Sequence, residues 1–203
     1  MKDAVEKTLH MVHDEHRAIS AVLSGMQELA RIARDPAVRP EFGVLHAMLY
    51  YIDAFPERLH HPKEEEYLFK PLLERLPKAA ALVAELRSQH LDGVRLVRDL
   101  QRALLSFEIE HPKGAAEFAD AVKRYADFHW NHMRREEREL LPLAEKHFRA
   151  EQWQAAAQAF AGNKNPLAGE SEQNFAQLFT RIVSLAPAPV GLGTPWRRAA
   201  GND

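Results

Sequence analysis

Cysteine is absent from the chain. That removes disulfides, thiol nucleophiles, iron–sulfur clusters and thiolate zinc sites together, and leaves nitrogen and oxygen as the donors for any transition metal. Long apolar runs are missing too. No stretch approaches the roughly 18 consecutive apolar residues of a transmembrane helix, and the amino terminus, MKDAVEKTLHMV, lacks the apolar segment of a secretory signal. These two features set the expectation of a cytoplasmic protein with no membrane partner. Charge of either sign is not in excess: 27 Lys+Arg stand against 29 Asp+Glu, a net charge of −2. With no basic stripe, the chain is not expected to bind nucleic acid. Glycine is sparse, nine in 203 residues, and β-branched runs are missing, which leaves little for a sheet.

What remains is rich in Ala, Leu, Glu and Arg and reads as helix. A first helix spans 3–34, with an apolar seam through Val5, Leu9, Val12, His16, Ile19, Leu23, Met26 and Ala30. A second starts near Glu41 and ends at Pro77. Pro56 and Pro62 fall inside it and predict a kink or short break. Beyond that point its seam resumes in a shifted phase as His61, Glu65, Leu68 and Leu72. A third covers 78–110 with His90 on its seam, and the turn His111-Pro112-Lys113-Gly114 follows. A fourth covers 115–148, with His129, His132 and Glu136 on its seam. Four long helices with short connections predict an all-α, up-down-up-down antiparallel four-helix bundle over residues 1–150. Residues 151–203 form a C-terminal extension: a short helix over 151–160, a loop at 162–166, a helix over 170–185, and a Pro/Gly-rich tail with Trp196 that is expected to be loosely ordered. Phe175, Leu178, Phe179, Ile182 and Val183 are expected to cover an open bundle surface, with a dimer contact as the alternative.

Histidine occurs eleven times, and part of that set repeats. His61, Glu65 and Pro71 recur as His132, Glu136 and Pro142, each 71 residues later. A lone seam histidine precedes each motif, His16 in one half and His90 in the other. Residues four apart share a helix face, so each half offers one inward His and one inward His/Glu pair. Four imidazoles and two carboxylates suit two transition-metal ions held in a bundle core. The competing reading is a hydrogen-bonded core without metal, with Glu65 and Glu136 as parts of solvated charge runs. Both glutamates fall on the apolar seam, however, where an unpaired carboxylate is costly.

These residues resemble the hemerythrin-like (HHE cation-binding) family. The resemblance rests on His16, on His61-Pro62-Lys63-Glu64-Glu65-Glu66-Tyr67-Leu68-Phe69, on His90, and on His132 through Glu137 with Leu140-Leu141-Pro142. It implies a non-haem di-iron centre (Mn or Zn being alternatives) with His16, His61, Glu65, His90, His132 and Glu136 as ligands, Glu65 and Glu136 bridging. It also implies a small diatomic ligand, O₂ or NO. Oxygen-carrying members resemble five-histidine sites with two histidines one turn apart on the third helix. Here Leu86 and Val94 occupy the positions one turn from His90. His129 is the best substitute, as a fifth ligand, a hydrogen-bond partner of a ligand, or a core residue. His10, His46, His60, His111 and His147 read as surface or helix-end residues. Three functions stay open: a binding or sensing protein for O₂ or NO, an oxidoreductase acting on NO or peroxide or repairing iron centres with an electron donor the sequence does not identify, and a storage or structural metal site. Monomer and homodimer are both compatible with the sequence.

Overall fold

The computed structural model describes residues 2–162 and 172–198. Helix α1 is Lys2–Ile32. Helix α2 runs over 42–75, but its backbone winding changes four times: α-helical Phe42–Ile52, a wide i→i+5 stretch Asp53–His60, α-helical His61–Glu64, a second wide stretch Glu65–Phe69, and α-helical Lys70–Arg75. A 3₁₀ turn, Pro77–Ala79, leads into α3, Ala80–Glu110. Helix α4 covers 115–147 and is interrupted by a wide stretch at Glu136–Leu140. Helices α5, Ala150–Ala161, and α6, Glu172–Leu185, follow.

Each wide stretch encloses the carbonyl that a proline disables. A proline has no N–H to offer the carbonyl four residues back, and its ring crowds that oxygen. For Pro62, Pro71 and Pro142 those carbonyls belong to Arg58, Tyr67 and Arg138, which lie inside the three wide stretches. The chain continues without breaking by taking one extra residue per turn.

Helix α1 packs against α2 and α4, and α3 packs against the same two. This closes the four-helix ring the sequence predicts. The turn before α4 depends on Gly114, whose φ is +81°; a Cβ there would also lie 3.0 Å from the Phe107 Cα. The apolar interior is split in two. One cluster gathers Leu23, Met26, Leu45, Ile52, Leu100, Phe107, Phe118 and Tyr125. The other gathers Val12, Phe69, Leu72, Leu86, Leu140, Trp153 and Phe160. Between them, at the level of residues 16, 60–64, 90 and 132–136, lies a buried polar layer.

Helix α5 packs on α1 and on the second wide stretch of α2, and α6 packs on α2. Leu178 and Ile182 meet the first apolar cluster, in keeping with a covering role for this segment. The side chains of Phe175 and Phe179 lie outside the described residues, as do the predicted loop beyond Gly162 and the start of the last helix. The tail differs from expectation. Arg197–Arg198 pairs as a two-residue antiparallel strand with Val38–Arg39, Trp196 packs against the core, and Arg198 reaches Asp35 at 3.1 Å. No helix among the described residues is long and apolar enough to cross a membrane.

Candidate metal centre

Two groups of buried side chains meet in the polar layer. His61, Glu64, His90 and His132 form one, and His16, His60, Glu64 and Glu136 the other; within each, the potential ligand atoms lie within 4.8 Å of one another. Glu64 belongs to both. Its Oε1 lies 3.2 Å from His60 Nε2 and 3.7 Å from His16 Nε2, while its Oε2 lies 3.7 Å from His90 Nε2. Glu136 spans the same gap. Its Oε2 is 3.5 Å from His16 Nε2, and its Oε1 is 3.2 Å from His132 Nε2 and 3.8 Å from His90 Nε2. Across each group, Nε2 faces Nε2: 3.1 Å for His16 and His60, 3.2 Å for His90 and His132. His61 stacks on His90 with ring centroids 4.2 Å apart.

Both oxygens of Glu64 and both of Glu136 are buried without a hydrogen-bond donor. A buried carboxylate left so is expensive, and a cation between the oxygens and the inward Nε2 atoms would satisfy all four. The donor set, imidazole and carboxylate with no sulfur, fits iron, manganese or zinc. The residues present therefore fit a two-metal centre.

The electrostatics agree. Burial and the Glu136 charge press the Glu64 carboxyl towards its neutral form, but His60 and His16 hold it down, at about 2. Glu136 is likewise held well below the usual carboxylate range, by His132, His90 and His16 against the cost of burial. Burial lowers His16, yet the hydrogen bond to Glu137 and the nearby carboxylates of Glu64 and Glu136 raise it to about 9. His90 reaches about 9 in the same way, burial being outweighed by Glu136 and Glu65. His60 rises well above its ordinary value, the Glu64 charge and the bond to Glu15 overcoming burial. His61 falls to about 3, through burial and the charge of His90.

The outer nitrogens are also engaged. His16 Nδ1 donates to Glu137 Oε1 at 2.8 Å, His60 Nδ1 to Glu15 Oε2 at 2.6 Å, His90 Nδ1 to Glu65 Oε1 at 2.8 Å, and His132 Nδ1 to Gln89 Oε1 at 2.9 Å. His61 Nδ1 sits 3.3 Å from Glu57 Oε2. Glu57 in turn accepts from Tyr125 Oη at 2.7 Å and lies 3.1 Å from His129 Nε2. Aromatic rings close the walls: Phe69 stacks on His90, and Phe55 stacks on His60.

Of the residues expected at the centre, the structure brings together His16, His61, His90, His132 and Glu136. Glu65 requires correction. Its side chain is 40% exposed and bonds the outer nitrogen of His90, while Glu64, one residue off the predicted seam, is fully buried. His60 is corrected as well: it is 1% exposed and faces His16, rather than lying at the surface. The cause is the wide stretch Asp53–His60. Each i→i+5 turn takes in an extra residue and rotates the following face by about 100°, so the inward phase becomes 60, 64, 68, 72. Read this way, the repeat of His60 and Glu64 as His132 and Glu136 is offset by 72 residues. His129 is buried but belongs to neither group of inward ligand atoms; it supports Glu57. Nothing in the sequence marked Glu57 or Tyr125 as part of the site. His111, read as a surface or helix-end residue, follows the end of α3 and donates to the Val38 carbonyl at 2.9 Å.

Residues 7–144 match the family model described as the hemerythrin HHE cation binding domain. No curated protein matches the chain. The matched span takes in all four bundle helices at the level of the polar layer and every inward His and Glu described above. This cation-binding helical chain therefore belongs to the hemerythrin HHE family.

Proposed function

We propose that His16, His60, His61, Glu64, His90, His132 and Glu136 would hold two iron ions, with Glu64 and Glu136 shared between them, and that the centre would bind a small diatomic molecule, O₂ or NO. The observation that carries this reading is the uneven division of histidines. Three (His61, His90, His132) converge on one side of the shared carboxylates and two (His16, His60) on the other. The two-histidine side is the one the groove between α1 and α4 reaches, and an exogenous ligand would enter there.

The metals when bound would supply redox chemistry and ligand coordination. The chain supplies the rest. Glu64 and Glu136 hold two positions at a fixed separation. Five inward imidazoles and only two carboxylates would leave about +2 on a diferrous pair, a donor set that would favour the reduced state over strongly oxidised ones. Phe55, Phe69 and Phe160 exclude water around the rings. A groove between α1 and α4, lined by His16, Arg17, Trp130, Arg134, Glu137 and Arg138, approaches the two-histidine side.

A second reading, reduction of NO or peroxide, has its own support. Such reductions consume protons, and Glu65 and Glu137 connect His90 and His16 to solvent. Rapid mixing of the reduced protein with O₂ separates the two. A stable, reversible absorbance band supports carriage; turnover with NO or peroxide and a donor supports the enzyme. Metal analysis tests the foundation. Wild-type protein is expected to carry two metals per chain, and Glu64→Ala to lose them while the exposed Glu66→Ala does not. Equal loss, or no metal in either, overturns the assignment.

A further inference from the structure

The four cross-helix bonds to the outer histidine nitrogens close into a ring. Glu15, beside His16 on α1, reaches His60 on α2. Glu65, beside Glu64 on α2, reaches His90 on α3. Gln89, beside His90 on α3, reaches His132 on α4. Glu137, beside Glu136 on α4, returns to His16 on α1. On α1 and α3 the reaching residue precedes the inward one; on α2 and α4 it follows. This alternation comes from the topology. A neighbour in sequence is rotated by about 100° around the helix, so it points sideways at the next helix. Reversing the helix direction reverses which neighbour points the same way round. An antiparallel bundle therefore needs −1, +1, −1, +1 to run a ring in one sense.

One member is uncharged. The Gln89 amide donates to Glu85 and so turns its oxygen to His132. The other three are carboxylates. An Nδ1–H bonded to a carboxylate makes the imidazole a stronger donor at Nε2, because the carboxylate favours positive charge building up on the ring; an amide oxygen does this less.

We infer that Glu15, Glu65, Gln89 and Glu137 are positioning residues that act as one ring, fixing four imidazoles with Nε2 facing inward, and that Gln89 makes His132 the weakest donor, raising the reduction potential of the metal it holds. This rests on the two-metal reading above. Gln89→Glu and Glu65→Gln change charge with little change of shape, and both positions are partly exposed, so the variants should fold. Metal content is measured first, then iron affinity and midpoint potentials. Gln89→Glu should lower a midpoint potential, and Glu65→Gln should raise one. Glu65→Ala should weaken metal binding about 10–100-fold. In zinc-loaded protein, imidazole ¹⁵N spectra should show the proton on Nδ1 of His16, His60, His90 and His132. Two metals per chain with potentials and affinity unchanged in every variant, or an Nε2–H tautomer at these histidines, overturns the ring and leaves the metal centre standing. Wild-type protein without metal overturns both.

Discussion

Gly93 faces Glu57: a Cβ at this position would lie 3.0 Å from one carboxylate oxygen and 3.1 Å from the other. Glu57 has little freedom to retreat, because Tyr125, His129 and His61 hold it from three sides. In Gly93→Ala, a helix-propensity gain of about 1 kcal/mol competes with overpacking of about 1–3 kcal/mol and with the disturbed network. We expect a net loss, read as a lower melting temperature together with weaker metal binding; a stabilised variant with unaltered binding would contradict the geometry. At this scale the sequence carried much but not all of the site. His16, His90 and His132 sit on uninterrupted α-helical seams and Glu136 at the end of one, where steps of three and four locate the inward face. His60 ends a stretch of different pitch and Glu64 follows it, so spacing alone did not fix the phase there, and the matched 71-residue offset of His61, Glu65 and Pro71 selected the neighbouring Glu65 and passed over His60. Glu57 and Tyr125 depend on contacts between helices, which no spacing within one helix displays.

Helix existence and order were legible because propensity, turn signals and apolar periodicity agree along α1, α3 and α4. Winding was half legible. Pro56 and Pro62 announced a disturbance in α2, but a kink, a break and an unbroken wide helix share that signal. The structure takes the continuous helix, with Leu59 in one apolar cluster and Leu68 and Leu72 in the other. Helix α5 shows what the extension does for the centre. Its Phe160 is 1% exposed and stands edge-on to His60, with ring centroids 6.3 Å apart. Phe160→Ala should cost about 3–5 kcal/mol in unfolding free energy, measured by denaturant titration, and should speed metal release to a chelator. Loss of stability with an unchanged release rate would limit α5 to packing.

For the molecule as a whole, the histidines set opposite responses to pH in the metal-free protein. His16 and His90, at about 9, and His60, well above its ordinary value, bind protons more tightly than the unfolded chain does near 6.5. The contribution of His16 and His90 is complete below pH 6.5 and fades as pH rises through about 9, and that of His60 is likewise lost towards alkaline pH. His61, at about 3, works the other way: its contribution is present above pH 6.5 and is lost as pH falls. The depressed Glu64 and Glu136 add to the loss on the acid side. Metal-free protein should therefore be most stable near pH 6.5, as thermal melts across pH would show. Ligation requires neutral imidazoles, so loading at pH 7 should release protons from His16, His60 and His90. A metal titration in weak buffer should acidify, and a titration without acidification would contradict the pairing.

The outer carboxylates differ in their access to water: Glu65 and Glu137 are 40% and 39% exposed, Glu15 and Glu57 only 9% and 2%. Isotope transferred from heavy water therefore has short paths to His90 and His16, through opposite flanks of the barrel of helices, and none comparable to His60 or His61. Those two rings should keep their original hydrogen until the helices part, so that the deuteration order of the five imidazoles times the breathing of the bundle around them.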